Sequence, residues 1–285
     1  MKTITLVALT LLVFVVPFSV FSQKKKAKAS VNYGNNPAAG NYLSTRGIKL
    51  YYETYGKGEP LLLIHGNGGS IHDMTYQISY FKKYYKVIIA DSRSQGKSID
   101  TAETLNYETM ADDMNALLDS LHIKSAYVIG WSDGGINGLL LAMRHPEKVK
   151  KLVASGANLI PDASVLDPAG VAFITETKKE LNAGKQDTAT KNTLKLLNMM
   201  ALEPHIALTD LQKISCPVLV VGGDNDVIKP AHTLQIFENI PQAYLWILPA
   251  SGHATLQRYK VEFNTKVHDF FTQPFRKINW DDWDK

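Results

Sequence analysis

A single cysteine, Cys216, stands in the 285 residues, so no disulfide can form within the chain. The stretch "ISCPVLVV" sets it at the mouth of an apolar strand, where it reads as a small buried residue. Its position also excludes a lipid anchor on a processed N-terminal cysteine. No cluster of His, Cys and carboxylates has metal-ligand spacing, and no motif calls for a cofactor. An excess of positive charge is missing too, despite the formal net charge of +4. Lys2, Lys24, Lys25, Lys26 and Lys28 supply five of the positive charges, which leaves residues 29–285 at a net −1. No basic footprint for nucleic acid therefore remains on the folded part. Internal repeats and low-complexity tracts are absent from the same region.

Long uncharged apolar runs are also lacking, with one exception. "ITLVALTLLVFVVPFSVF" follows Met1-Lys2 and precedes "SQKKKAK". A basic start, an apolar centre and a small residue before a polar break predict a secretory signal peptide over residues 1–22, cleaved after Ser22. The chain is then exported, to the periplasm or beyond. An uncleaved membrane anchor is the alternative, because the run is nearly long enough to span a bilayer. The lysine cluster reads as a solvated tail, and any membrane contact is confined to this N-terminal segment.

Residues 23–46, rich in Lys, Asn, Ala and Gly, read as a flexible linker. A domain is expected over 47–272, with a C-terminal tail at 273–285; its length allows a sizeable core. "IKLYYETYG" alternates like a strand, and "LLLIH" (61–65), "KVIIAD" (86–91), "AYVIG" (126–130), "KLVASG" (151–156), "PVLVVGG" (217–223) and "YLWIL" (244–248) are short apolar runs. Segments of helical length, such as 107–122, separate most of them. That alternation predicts an α/β domain: a mostly parallel central sheet with helices on both faces. The interval 158–210 breaks the rhythm. Its "AFITETKKELNAG" and "KNTLKLLNMMALEPH" are helix-like, and an insertion of this size reads as a lid or binding element.

Chemistry concentrates at "VIGWSDGGIN" (128–137). Gly130-x-Ser132-x-Gly134 is weak alone, but here it follows a strand and precedes the helix-like "INGLLLAMRHPEKV". That is the setting of a nucleophile elbow, which makes Ser132 a candidate nucleophile. A serine hydroxyl needs a base to take its proton and an acid to orient that base. "VVGGDNDVIKP" offers Asp226 as the acid, with Asp224 forming the turn, and "LPASGHATL" offers His253 as the base. Oxyanion donors are expected from the backbone N–H of Asp133 and, in "HGNGGS", of Asn67, with Gly68 the next choice. His65, His72 and His145 read as structural.

With "HGNGG", "DSRSQGKS", "GWSDGG", "GGDNDVIKP" and "SGH" in this order, the sequence resembles the α/β-hydrolase superfamily over about residues 47–272. The resemblance implies the α/β-hydrolase fold, with 158–210 as a helical cap. It departs where the family usually has glycine and this chain has Ser94. "GWSDGG" followed by "SGAN" further resembles the biphenyl hydrolase-like, or valacyclovir hydrolase, type of esterase. There the acid after the nucleophile receives the α-amino group of an amino-acid ester, a role the resemblance would place on the Asp133 side chain. The alternative for that carboxylate is a local hydrogen-bond network.

The activity expected is that of an exported serine esterase acting on a small-molecule carboxylic ester, or an amide, through an acyl-enzyme and without a cofactor. A cofactor-free perhydrolase or haloperoxidase uses the same three residues. A dehalogenase or epoxide hydrolase needs an aspartate where Ser132 stands. A non-catalytic binding protein on the same fold is the reading from another class, and it has no use for Ser, His and Asp together.

Overall fold

The computed structural model describes residues 31–278. The expected signal peptide or anchor (1–22) lies outside the described residues, as does the end of the expected tail. Among the described residues, no helix is long and apolar enough to cross a membrane.

Eight strands form one sheet: β1 (Gly40–Thr45), β2 (Ile48–Tyr55), β3 (Glu59–Ile64), β4 (Tyr85–Ala90), β5 (Ala126–Trp131), β6 (Val149–Ser155), β7 (Val218–Gly223) and β8 (Ala243–Leu248). Their order is β1-β2-β4-β3-β5-β6-β7-β8. β3 to β8 pair in parallel, while β1 and β2 form an antiparallel edge. From β3 the chain moves outward to β4, then returns to place β5 on the other side of β3. Loops after β3 and β5 thus diverge from one crevice, where parallel sheets present ligand sites.

The helices are α1 (Thr75–Phe81), α2 (Tyr107–Ser120), α3 (Asp133–Arg144), α4 (Pro168–Ala183), α5 (Thr188–Leu202), α6 (Pro230–Asn239), α7 (Thr255–Arg258) and α8 (Lys260–Thr272). Strand side chains alternate between faces, so continuous apolar runs supply a core to both. Leu62, Ile64, Ile88 and Val128 pack with α2, α3 and α6 on one face. Leu61, Leu63, Val87 and Ile129 pack with α1 and α8 on the other. Three helix starts are capped by a side chain. Asn106 accepts from Thr109 N to open α2, and Asp187 accepts from Thr190 N to open α5. Asp167 accepts from Ala169 N to open α4, whose first residue is Pro168.

Cap helices α4 and α5 occupy the interval 158–210 together with the loops that flank them. α4 is thinly attached, since Ile174 is its only buried side chain.

The expected flexible linker ends earlier than residue 46. Tyr33 is buried, and β1 pairs residue by residue with β2 from Gly40↔Glu53 to Thr45↔Ile48. Its signal is faint for a physical reason: an edge strand with mostly solvent-facing side chains needs no apolar run. The two-residue loop Arg46-Gly47, with φ of 45° and 80°, has the positive angles of a tight hairpin turn. Glu53 secures the segment. Its buried carboxylate accepts from the backbone of Gly34 and Asn36 and from the hydroxyls of Tyr51 and Tyr55. At the other end, Phe275 and Arg276 of the expected tail lie against Tyr244 of β8.

Burial raises the Glu53 carboxyl, but these hydrogen bonds outweigh it and hold the group below the ordinary range. Glu53→Ala leaves four buried or half-buried donors without their acceptor. The expected loss is about 3 kcal/mol in urea unfolding, with residues 33–45 losing hydrogen-exchange protection first. Unchanged stability would show that this segment is not anchored through Glu53.

Candidate active site

Ser132 follows β5 and precedes α3 with φ 57° and ψ −122°, a region that side-chain-bearing residues rarely occupy. Neighbouring backbone holds it there. Ser132 N donates to Ser155 O at 2.8 Å, and Ser132 O accepts from Gly135 N at 2.7 Å. The turn is tight enough that a Cβ at Gly130 would collide with the Gly134 carbonyl, and one at Gly134 with the Ile64 carbonyl. Both glycines are therefore required by close approach.

The structure brings Ser132, Asp226 and His253 together from three loops. His253 Nε2 lies 2.8 Å from Ser132 Oγ, and its Nδ1 lies 2.7 Å from Asp226 Oδ1. A carboxylate only accepts, so Nδ1 carries the ring proton and Nε2 accepts from the Ser132 hydroxyl. The Asp226 side chain is fully buried; its Oδ1 also accepts from Ile228 N at 3.0 Å. Asp224 sits apart in the turn. It accepts from the backbone of Ala250 and Ser251, which ties the end of β7 to the loop that carries His253. Trp131 adds a second restraint on that loop, its indole N–H donating to His253 O at 2.9 Å.

Asn67 and Asp133 line the same cavity as Ser132 and His253. Among the described residues, neither backbone N–H has a hydrogen-bond partner. Their side chains meet directly: Asn67 Nδ2 donates to Asp133 Oδ2 at 2.7 Å. The hydroxyl of buried Tyr107 also faces that carboxylate. The Asp133 side chain thus sits in a local network, with 4 % of the residue exposed. Gly68 has φ 66° and is not among the cavity's lining residues.

His65 is buried and fixed at both nitrogens. Nδ1 pairs with Gly66 O at 2.7 Å, while Nε2 accepts from Ser92 N at 2.9 Å. It braces the loop that carries Asn67. Ser94, where glycine is usual, takes φ 62°, and its hydroxyl pairs with Asp100. His72 is exposed, and His145 pairs with Asp112 at 2.9 Å. Burial pushes the Cys216 thiol up to about 12, which leaves it inert.

The cavity measures about 320 Å³. The cap supplies Ile174, Leu197 and Met200 as apolar wall, with Phe173 at its exposed edge. The cap's "LNMMALEPH" is split between duties, since Met199 enters the core while Met200 faces the cavity. Tyr107, Trp131 and Glu203 also line it, none of them expected there from the sequence. Glu203, held by Tyr107 N at 3.3 Å, had one available signal, a carboxylate directly after the apolar run 199–202 that ends α5. Among the described residues, no group of His, Cys and carboxylates could hold a metal ion.

Comparison with known proteins matches residues 59–173 to the family described as alpha/beta hydrolase fold. Serine hydrolase BPHL of Mus musculus is 27% identical over 259 residues, covering 80% of this chain and 84% of the relative. The 3-oxoadipate enol-lactonase 2 of Acinetobacter baylyi is 27% identical over 242 residues, covering 76% of this chain and 91% of that one. Among solved structures, Est816, an N-acyl homoserine lactone degrading enzyme, aligns with a TM-score of 0.68 at 25% identity. That alignment covers 81% of this chain and 100% of Est816.

Burial lifts the Asp133 carboxyl from 3.8 to about 6, against the lowering effect of Asn67, Tyr107 and His253. Between those values the folded protein keeps a proton that the unfolded chain has lost, so stability falls as pH rises through the window. A shift of this size corresponds to about 3 kcal/mol once the carboxyl is ionised. Asp133→Asn is therefore expected to be more stable than the parent at about pH 7.5, with the gap closing towards about pH 4. Urea unfolding across that range measures it. A variant less stable than the parent at the upper end would show that the charged network is worth more than its burial costs.

Proposed function

From the premise that the chain belongs to the α/β-hydrolase superfamily, we propose that it is a serine hydrolase of carboxylic esters, open-chain or cyclic. The observation that carries this reading is the unbroken chain of short contacts from Ser132 through His253 to Asp226. Names of relatives agree with the reaction class, since they include a serine hydrolase and a lactonase.

In this reading His253 Nε2 takes the proton of Ser132 as Oγ attacks the ester carbonyl. The resulting oxyanion accepts from the N–H groups of Asn67 and Asp133. Collapse breaks the bond to the alcohol, which leaves with the proton from His253, and the acyl group stays on Ser132. Water then gives its proton to His253 and attacks the acyl-enzyme, releasing the acid and restoring the serine. Asp226 keeps His253 in the required tautomer throughout and stabilises the imidazolium. No cofactor enters any step.

We assign the Asp133 carboxylate to the oxyanion hole rather than to the substrate. Its bond to Asn67 Nδ2 links the two residues whose backbone N–H groups face the carbonyl oxygen. Fixed donors are worth more than mobile ones, because they need not reorganise as charge develops. The N-terminal segment adds a proposal about place: the enzyme acts after export, as a periplasmic or secreted protein.

Fluorophosphonate labelling tests the central claim. Wild type should be labelled and Ser132→Ala should not. Asp226→Asn should fold normally yet lose about 10⁴-fold in kcat on a reactive ester, by removing the acceptor that sets the tautomer. Failure of well-folded wild type to label or to turn over esters would sink the reading.

A further inference from the structure

Away from the active site, the outer side of α1 and α8 carries an aromatic and basic seam. The two helices lie against each other on one face of the sheet. Tyr76 and Tyr84 are 44 % and 48 % exposed, and Val261 on α8 is 66 % exposed. Half-buried Tyr80 meets Tyr84 at 5.6 Å between ring centres, and Tyr84 stacks on His268 of α8 at 4.6 Å. Lys260 reaches across from α8, its Nζ 4.1 Å from the centre of the Tyr76 ring. Lys83 covers Tyr80 in the same way at 5.7 Å. Rings with one exposed side, each beside a lysine, make a surface that is apolar in body and cationic at its tips.

Charge on this seam runs against the rest of the fold. Residues 75–84 and 258–269 hold Lys82, Lys83, Arg258, Lys260 and Lys266 against Glu262 and Asp269, whereas residues 29–285 as a whole net −1. The chain also enters the fold here. Tyr33 is buried, its hydroxyl 3.1 Å from Ser79 Oγ and 2.7 Å from Lys82 Nζ. Upstream in the sequence stand Lys24, Lys25, Lys26 and Lys28, and before them the apolar run. An uncleaved run leaves ten residues, 23–32, before Tyr33, a reach of about 35 Å at most. A cleaved run leaves the four lysines. In either form the seam lies where a membrane-seeking segment joins the fold.

We propose that the seam of α1 and α8 is a docking surface for an anionic phospholipid bilayer. Tyr76, Tyr80 and Tyr84 sit at head-group level, where amphipathic rings are favoured, and Val261 enters the acyl boundary. Lys83 and Lys260 pair with lipid phosphates while their stems stay on the rings. The lysines at 24–28 add attraction of the same sign from the adjoining chain. Two such signals hold a protein at a membrane where one alone is marginal. Membrane contact thus extends from the N-terminal segment to the fold. Ser132, Asp226 and His253 follow strand ends and stand off the seam, so docking and hydrolysis are separable.

A polarity-sensitive dye on a single surface cysteine tests this in the full chain, since Cys216 is buried and unreactive. One sample carries the dye through Val261→Cys, the other through Glu238→Cys on α6, which covers the opposite face of the sheet. Vesicles containing phosphatidylglycerol should blue-shift the dye at 261 and leave the dye at 238 unchanged. Vesicles of phosphatidylcholine alone should shift neither. Adding Lys83→Glu and Lys260→Glu to the first sample should weaken the vesicle affinity read at 261 by at least about thirtyfold. Adding Tyr76→Ser and Tyr84→Ser instead should reduce the shift at saturation, with circular dichroism confirming the fold in both. Equal shifts at 261 and 238, or no shift at 261, overturn the proposal. So does a shift at 261 that ignores lipid charge or survives the lysine reversals, because insertion of the N-terminal run alone would then account for it. A shift at 261 that grows with protein concentration in the absence of vesicles assigns the face to a second copy of the chain and overturns the lipid assignment.

Discussion

The backbone of Ser132 is held in a conformation that costs on the order of 1–3 kcal/mol for a residue with a side chain, and much of the site follows from how that strain is sustained. Its N–H is fixed to Ser155 on β6, and its carbonyl is fixed to the first turn of α3. With no Cβ at Gly130 or Gly134, α3 can begin almost on top of the end of β3. Three consequences come from that one close approach. The serine side chain stands clear of the sheet, the first N–H of α3 is left without a partner, and Asp133 comes within reach of Asn67 on the loop after β3. A substitution at either glycine would disturb all of them together.

The sheet then acts as a ruler for the remaining groups. Asn67, Ser132, Asp226 and His253 follow the ends of β3, β5, β7 and β8, so their spacing is set by strand pairing rather than by flexible loops. The two aspartates after β7 divide the labour. Asp226 meets the imidazole, while Asp224 binds the backbone of the loop that carries it. Trp131, adjacent to the nucleophile, reaches the His253 carbonyl from the other side. An imidazole restrained at its proton-bearing nitrogen and along its backbone has little freedom to lose when it accepts the serine proton.

Legibility in the sequence followed the physics of each element. Buried parallel strands need continuous apolar runs, so β3 to β8 stood out, and their alternation with helical segments implied the layered α/β fold. β1 did not, because an exposed edge strand has nothing to bury on one side. Ser132, Asp226 and His253 were readable because each sits at a strand end with a distinctive turn, and their order in the chain is constrained. Tyr107 and Glu203 were not. They meet across 96 residues through a backbone bond, and no spacing rule encodes a contact between the start of one helix and the end of another. Asp133 was readable as a residue but ambiguous in role, since its partners Asn67 and Tyr107 come from distant segments.

The acid beside the nucleophile poses an electrostatic problem that its surroundings resolve. Negative charge next to an oxyanion hole opposes the charge that develops there, so an ionised Asp133 works against the reaction unless it is offset. Three features offset it. Burial raises its carboxyl to about 6, which keeps a neutral form accessible near neutral pH. Asn67 directs a donor at it, and the carboxylate stands in the first turn of α3, where unpaired N–H groups favour negative charge.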